Sequence, residues 1–113
     1  MELSPTYQKI DDLKQRSTAL SEHLNLEEKQ GRLEEVLLEM ENPDIWSNPD
    51  EAQALGQEKS KLELICQTFE QTSSVLEDAK ELLEMAQLEE DEDTANGIIE
   101  DLNVVQTAIE KLE

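Results

Sequence analysis

The chain is poor in the residue types that form disulfides, tight turns and aromatic cores. Its 113 residues include one Cys, three Gly, three Pro and a single Trp, Tyr and Phe. One cysteine excludes an internal disulfide, and the scarcity of Gly and Pro argues against a protein of strands and turns. No apolar run approaches the roughly 20 residues that span a bilayer, and the N-terminus lacks the basic and apolar regions of a signal peptide. We therefore expect a soluble, cytoplasmic protein.

Basic residues are also scarce, since 9 Lys and Arg oppose 29 Asp and Glu, for a net charge of −20. Binding to free DNA or to an anionic membrane depends on cationic side chains, so neither is an expected partner. Basic protein surfaces are the natural partners of such a chain, through an attraction that salt weakens. The alternative is that most of the acids only solvate the outer faces of helices.

Patterns that carry catalysis or bind cofactors are missing as well. His23 and Cys66 are the only residues of their types and have no supporting cluster in the sequence, and there is no Gly-rich phosphate loop. A weak match to a calcium-binding loop starts at Glu92, where Asp is favoured. The same match places Asn103 where a bidentate Glu is needed. We expect no cofactor and no metal, and residues 1–113 are not expected to form an enzyme.

What the sequence does contain is one long heptad pattern, in a predicted helix over 49–90. The order Asn-Pro-Asp-Glu at 48–51 is typical of a helix start, with Asn48 as N-cap and Pro at the first helical position. Apolar side chains then recur at every seventh residue, at Leu55, Leu62, Phe69, Leu76 and Leu83. This spacing aligns them in one stripe that packs against other helices, so we predict that they are structural anchors.

Three more helices complete the predicted fold, over about 5–24, 26–41 and 94–112. Their predicted N-caps are Ser4, Asn25, and either Asp93 or Thr94. The last helix has apolar residues at steps of three and four, so it can run back antiparallel along the long helix. The sequence thus predicts one all-α domain over 1–113. It would be an elongated antiparallel helical bundle with a long, coiled-coil-like helical hairpin.

Two connections hold further candidate site residues. In the segment that joins the second and third helices, we expect Ile45 and Trp46 to anchor the chain on the bundle; an exposed partner contact is the alternative. The turn between the third and fourth helices contains five consecutive acids, Glu89, Glu90, Asp91, Glu92 and Asp93. These acids are the candidate partner contact. The alternative is that they only cap a helix and confer solubility.

Several segments resemble a known family. They are Arg-Leu-Glu-Glu-Val at 32–36, Glu-Asn-Pro-Asp-Ile-Trp at 41–46, Pro-Asp-Glu-Ala-Gln-Ala-Leu-Gly at 49–56 and Lys-Ser-Lys-Leu-Glu at 59–63. Together they are similar to the N-terminal domain of the bacterial class I peptide chain release factors. The Pro-Asp-Ile-Trp turn favours the release factor 2 type, which reads UGA and UAA. The resemblance spans nearly the whole chain, although its Glu- and Leu-rich parts are unspecific.

The resemblance implies translation termination, through a helical first domain that faces the ribosome. Its implied partners are the ribosome, at the stalk base in the GTPase-associated region, and the class II GTPase release factor. The parent factor would read stop codons with a Ser-Pro-Phe tripeptide and promote peptidyl-tRNA hydrolysis with a Gly-Gly-Gln motif, and neither occurs in residues 1–113. No catalytic residue is therefore carried over.

The alternative function is a stand-alone acidic coiled-coil adaptor or chaperone-like module. An adaptor of that kind would self-associate through an exposed heptad stripe. A release-factor domain would instead be a monomer whose stripe is buried within the chain.

Overall fold

The computed structural model describes every residue from Met1 to Glu113. The helices are α1 (Ser4–His23), α2 (Leu26–Met40), a 3₁₀ helix (Pro43–Ser47), α3 (Pro49–Leu88) and α4 (Glu92–Leu112). The chain contains no strand, which confirms the predicted all-α class. None of these helices combines the length and the apolar character needed to span a bilayer.

The chain divides into two compact units, each with a core of its own. Unit 1 comprises Met1–Glu22 and Phe69–Glu113, and unit 2 is the continuous stretch His23–Thr68. Helix α3 contributes its first half to unit 2 and its second half to unit 1.

The core of unit 1 is built from one apolar face each of α1, the second half of α3, and α4. Leu13, Leu83 and Leu102 have no solvent exposure. The other buried apolar residues of this unit are Leu3, Ile10, Leu20, Phe69, Leu76, Ala79, Ala86, Ala95, Ile98, Val105 and Ile109. Their spacing of three, four or seven residues keeps them on one side of each helix, where burial of a large apolar side chain stabilises the fold by about 1.5–3 kcal/mol.

Polar contacts fix the direction of the helices in unit 1. Lys9 Nζ donates to Asn103 Oδ1, and the Arg16 guanidinium binds the Glu113 carboxylate at 2.6 Å. Residue numbers rise together along both helices, so α1 runs parallel to α4. A three-residue turn joins α3 to α4, so these two helices form the predicted antiparallel hairpin.

The core of unit 2 is smaller. Val36 on α2 is buried against Leu55 and Leu62 on α3, and three partly buried side chains pack on this cluster, those of Leu33, Met40 and Ile45. Arg32 on α2 donates two hydrogen bonds to the Glu58 carboxylate on α3, at 2.7 and 2.8 Å. The two helices are thereby joined by both an apolar and an ionic contact.

The predicted N-caps of α1 and α2 are both wrong. Helix α1 begins at Ser4 itself, and the Ser4 amide donates to the Glu2 carboxylate at 2.7 Å, so Glu2 takes the capping role. Asn25 has a left-handed backbone (φ 53°) and makes no side-chain capping bond, because an N-cap side chain reaches the first-turn amides from an extended backbone. The Asn48 cap of α3 is confirmed, since Asn48 Oδ1 accepts from the Glu51 amide at 3.3 Å.

Candidate functional site

The acidic tip, residues 89–93, follows directly from the way α3 ends. The Asp91 amide donates to the Ala86 carbonyl at 2.9 Å, and the Glu90 amide donates to the Gln87 carbonyl at 3.2 Å. These two bonds form a Schellman motif, in which the residue after the C-cap is left-handed. Glu90 takes that position with φ 53°, where Gly is usual. The motif ends α3 at Leu88, two residues before the predicted end.

Asp91 then starts α4. Its carboxylate accepts the Thr94 amide at 3.0 Å and the Thr94 hydroxyl at 2.6 Å. The N-cap is therefore Asp91, not Asp93 or Thr94, and α4 begins at Glu92 instead of 94. The pKa of Asp91 is held below its ordinary value, chiefly by the hydrogen bond from the Thr94 hydroxyl and next by the bond from the Thr94 amide. The N-cap of α4 could not be predicted correctly from the sequence because all five tip residues are acids, and either Asp is a good N-cap.

The other four acids of the tip point into solvent. Glu89, Glu90, Glu92 and Asp93 are exposed, and none of them takes part in an ion pair. Glu92 and Asp93 lie in the first turn of α4, where the positive end of the helix dipole favours them. Glu89 follows the C-terminal end of α3, where the same effect opposes it. The tip thus combines one structural carboxylate with four that can bind cationic groups.

The connection between α2 and α3 is a short, hydrogen-bonded turn. Asn42 Oδ1 accepts from the Asp44 amide at 3.0 Å, and Ser47 Oγ donates to the Asp44 carbonyl at 2.6 Å. Ile45 packs on the core of unit 2 as predicted, whereas Trp46 is 59% exposed. In a 3₁₀ helix successive residues point about 120° apart, so only one of two neighbours can face the core. The predicted anchoring role of Trp46 is therefore wrong.

The heptad stripe is covered within the chain. Its five members are all buried, Leu55 and Leu62 in unit 2, and Phe69, Leu76 and Leu83 in unit 1. This burial matters for function because an adaptor would need the stripe exposed for self-association.

Two arginine clusters were not predicted from the sequence. Arg32 binds Glu58 and also lies within ion-pair distance of Glu35 and Glu39, and the Arg32 guanidinium lowers the pKa of Glu58. Arg16 likewise lowers the pKa of Glu113. The spacing of Arg32 and Glu35 on one helix is a usable signal. Glu58 and Glu113 give no such signal, because each lies far from its arginine in the sequence.

No three carboxylate, imidazole or thiol side chains converge so as to hold a metal ion. Cys66 is partly buried in unit 2, and burial raises the pKa of its thiol. His23 is exposed at the end of α1.

The sequence of the chain is similar to those of known proteins. A family model described as the PCRF domain matches residues 28–113, which include both the 3₁₀ helix and the acidic tip. The chain is 45% identical to the peptide chain release factor 2 of Stenotrophomonas maltophilia (strain R551-3), over all 113 residues. The chain spans 30% of the length of that relative.

Proposed function

Because the chain belongs to the PCRF-domain family, we propose that it is the N-terminal, ribosome-facing domain of a bacterial class I peptide chain release factor and serves translation termination. The observation that carries this proposal is the 45% identity to a peptide chain release factor 2 over all 113 residues. Since the chain spans only 30% of that relative, codon reading and peptidyl-tRNA hydrolysis are assigned to the remainder of the parent factor.

Within that class we propose the release factor 2 type, which reads UGA and UAA. The name of the relative and the Asn-Pro-Asp-Ile-Trp segment at 42–46 support this type. The test is to read the gene beyond the codon for Glu113. We expect an open frame that encodes a Ser-Pro-Phe tripeptide and a Gly-Gly-Gln motif. A frame that encodes neither motif would refute the assignment to a codon-reading factor.

The buried stripe supports a release-factor domain over the adaptor alternative. All five heptad residues are covered within the chain, so no continuous apolar seam remains for a coiled-coil partner. We expect the chain to sediment as a monomer of 12.9 kDa. A stable dimer would favour the adaptor instead.

The proposed ribosome contact is the acidic tip. It presents four exposed, unpaired carboxylates on a turn that hydrogen bonds hold in place. Such a surface attracts basic proteins, and the proposed location is the ribosomal stalk base in the GTPase-associated region. A contact with the class II GTPase release factor is part of the same proposal. Because the attraction is screened over about 10 Å at 0.1 M salt, its main effect is on the association rate.

Charge reversal at the tip tests this contact. Residues 1–113 replace the matching region of the Stenotrophomonas relative, and the association of this factor with ribosomes is followed by stopped-flow fluorescence. The double variant Glu89→Lys/Glu92→Lys keeps the Asp91 cap and should associate about tenfold more slowly at low salt, with a smaller difference at high salt.

The matched control is Glu70→Lys/Glu77→Lys, two exposed acids on α3 without an ion pair. It makes the same change in net charge and should alter the rate by less than about twofold. If the tip variant and the control behave alike, the tip acids serve only as a cap and for solubility.

A further inference from the structure

The end of α2 and the 3₁₀ helix expose three large apolar side chains in unit 2. Trp46 is 59% exposed, Leu38 is 66% exposed and Leu37 is 41% exposed. The two leucines lie near the end of α2, and the 3₁₀ helix that carries Trp46 contacts α2. We call the exposed side chains of Leu37, Leu38, Glu41, Asp44 and Trp46 the Trp46 surface.

The turn that presents Trp46 is held in place before any partner binds. The Asp44 amide and carbonyl are bound by the Asn42 and Ser47 side chains, and Ile45 is packed on the core. A side chain on a pre-ordered turn loses little conformational entropy on binding. Trp is also among the residue types most enriched at the energetic centres of protein interfaces. At 59% exposure, most of the Trp46 side chain is open to contact by a partner.

Residues 33–58, which carry the Trp46 surface, have charged side chains of one sign only. Between residues 33 and 58 there is no Lys or Arg, while the acids are Glu34, Glu35, Glu39, Glu41, Asp44, Asp50, Glu51 and Glu58. Arg32 binds three of them, Glu35, Glu39 and Glu58. The acids of the Trp46 surface itself, Glu41 and Asp44, are exposed and have no ion pair. Charge complementarity therefore requires a cationic occupant.

We propose that the Trp46 surface docks an arginine-rich protein segment that also carries apolar side chains. A guanidinium group stacks on the exposed indole face, and the adjacent carboxylates accept its N–H groups. Leu37 and Leu38 contact the apolar side chains of the segment. The same carboxylates repel nucleic-acid backbones and anionic lipids. This inference goes beyond the proposed function, since it concerns unit 2 alone, whereas the proposed ribosome contact is the acidic tip.

Trp46 itself reports the binding, because it is the only Trp in the chain. The probe is a short synthetic peptide of leucine and arginine arranged as an amphipathic helix, titrated into the 113-residue chain. We expect the Trp46 emission to shift to shorter wavelength and to saturate, and we expect no shift with a peptide that has Glu in place of Arg. If the arginine peptide binds and the emission does not change, the peptide contacts another surface and the proposal is wrong.

Substitutions separate a specific site from general attraction to an acidic protein. Trp46→Ala and, separately, Asp44→Lys should each weaken binding of a fluorescently labelled peptide by at least about tenfold. Asp44→Lys leaves the turn intact, because the turn uses only the backbone atoms of Asp44. The controls are Val104→Ala, an apolar side chain that is 70% exposed, and Asp101→Lys, an exposed acid, both on α4. They should change the affinity by less than about twofold.

Two further results would overturn the proposal. One is equal weakening by Asp44→Lys and Asp101→Lys, which would mean that the peptide binds net charge alone. The other is self-association of the free chain in sedimentation that Trp46→Ala abolishes, since a second copy of the chain would then be the occupant. A monomeric free chain, together with loss of peptide binding only in the Trp46-surface variants, supports it.

Discussion

Replacing Leu102 with Ala should destabilise unit 1 by about 3 kcal/mol. Leu102 lies on the inner face of α4 and has no solvent exposure. The substitution removes three carbons, worth about 2.4 kcal/mol of transfer free energy at about 0.8 kcal/mol each. The cavity that remains adds to this loss, because the helices around it relax only partly, and brings the total to about 3 kcal/mol.

Urea unfolding followed by far-ultraviolet circular dichroism measures this loss. With an m value of about 1.5 kcal/mol per molar urea, the midpoint should fall by about 2 M. The matched control is Val104→Ala, two residues further along α4, where the side chain is 70% exposed. Its free energy of unfolding should change by less than about 0.5 kcal/mol. Equal midpoints for the two variants would refute the packing of α4 described above.

Three substitutions near the acidic tip give further tests by thermal unfolding. Glu90→Gly should raise the Tm because Gly adopts the left-handed backbone of this position without steric strain. The comparison is Glu84→Gly, within the helical part of α3, which should lower the free energy of unfolding by about 1 kcal/mol. Asp91→Asn should reduce the acid sensitivity of the fold. The pKa of Asp91 is lowered on folding, so the stability that its charge contributes is complete above the unfolded pKa of about 3.9 and is lost as the pH falls through the folded pKa. Between about pH 5 and about pH 2, the Tm of the unsubstituted chain should therefore fall further than the Tm of the Asp91→Asn variant. Equal decreases in Tm would contradict the capping role of Asp91.

The helices could be predicted because their signal is local. Leu55 to Leu83 repeat every seven residues, and Asn48-Pro49 marks a helix start by residue type alone. Helix ends were predicted less well where a residue adopts a backbone conformation that its type usually avoids. Glu90 in a left-handed conformation gives no sequence signal, because Gly or Asn is expected there.

The candidate site was harder to predict because it depends on which side of an element faces the core. Ile45 and Trp46 are adjacent and both apolar, and only the geometry of the 3₁₀ helix decides that Ile45 is packed and Trp46 is exposed. The heptad stripe also continues without interruption from Leu62 to Phe69, although these residues belong to different units. Contacts such as Arg16 to Glu113 depend on helix packing, which periodicity does not specify.

The division of the chain has a consequence for its synthesis. Unit 2 is continuous from His23 to Thr68, so all of its contacts can form as soon as that stretch has left the ribosomal exit tunnel. Unit 1 joins the first residues to the last, and the ion pair of Arg16 with Glu113 closes a separation of 97 residues. The apolar face of α1 therefore remains uncovered through almost the whole of translation of this region. We expect unit 2 to fold first and unit 1 to fold only when α4 has emerged, which makes the nascent α1 the segment most in need of protection by chaperones.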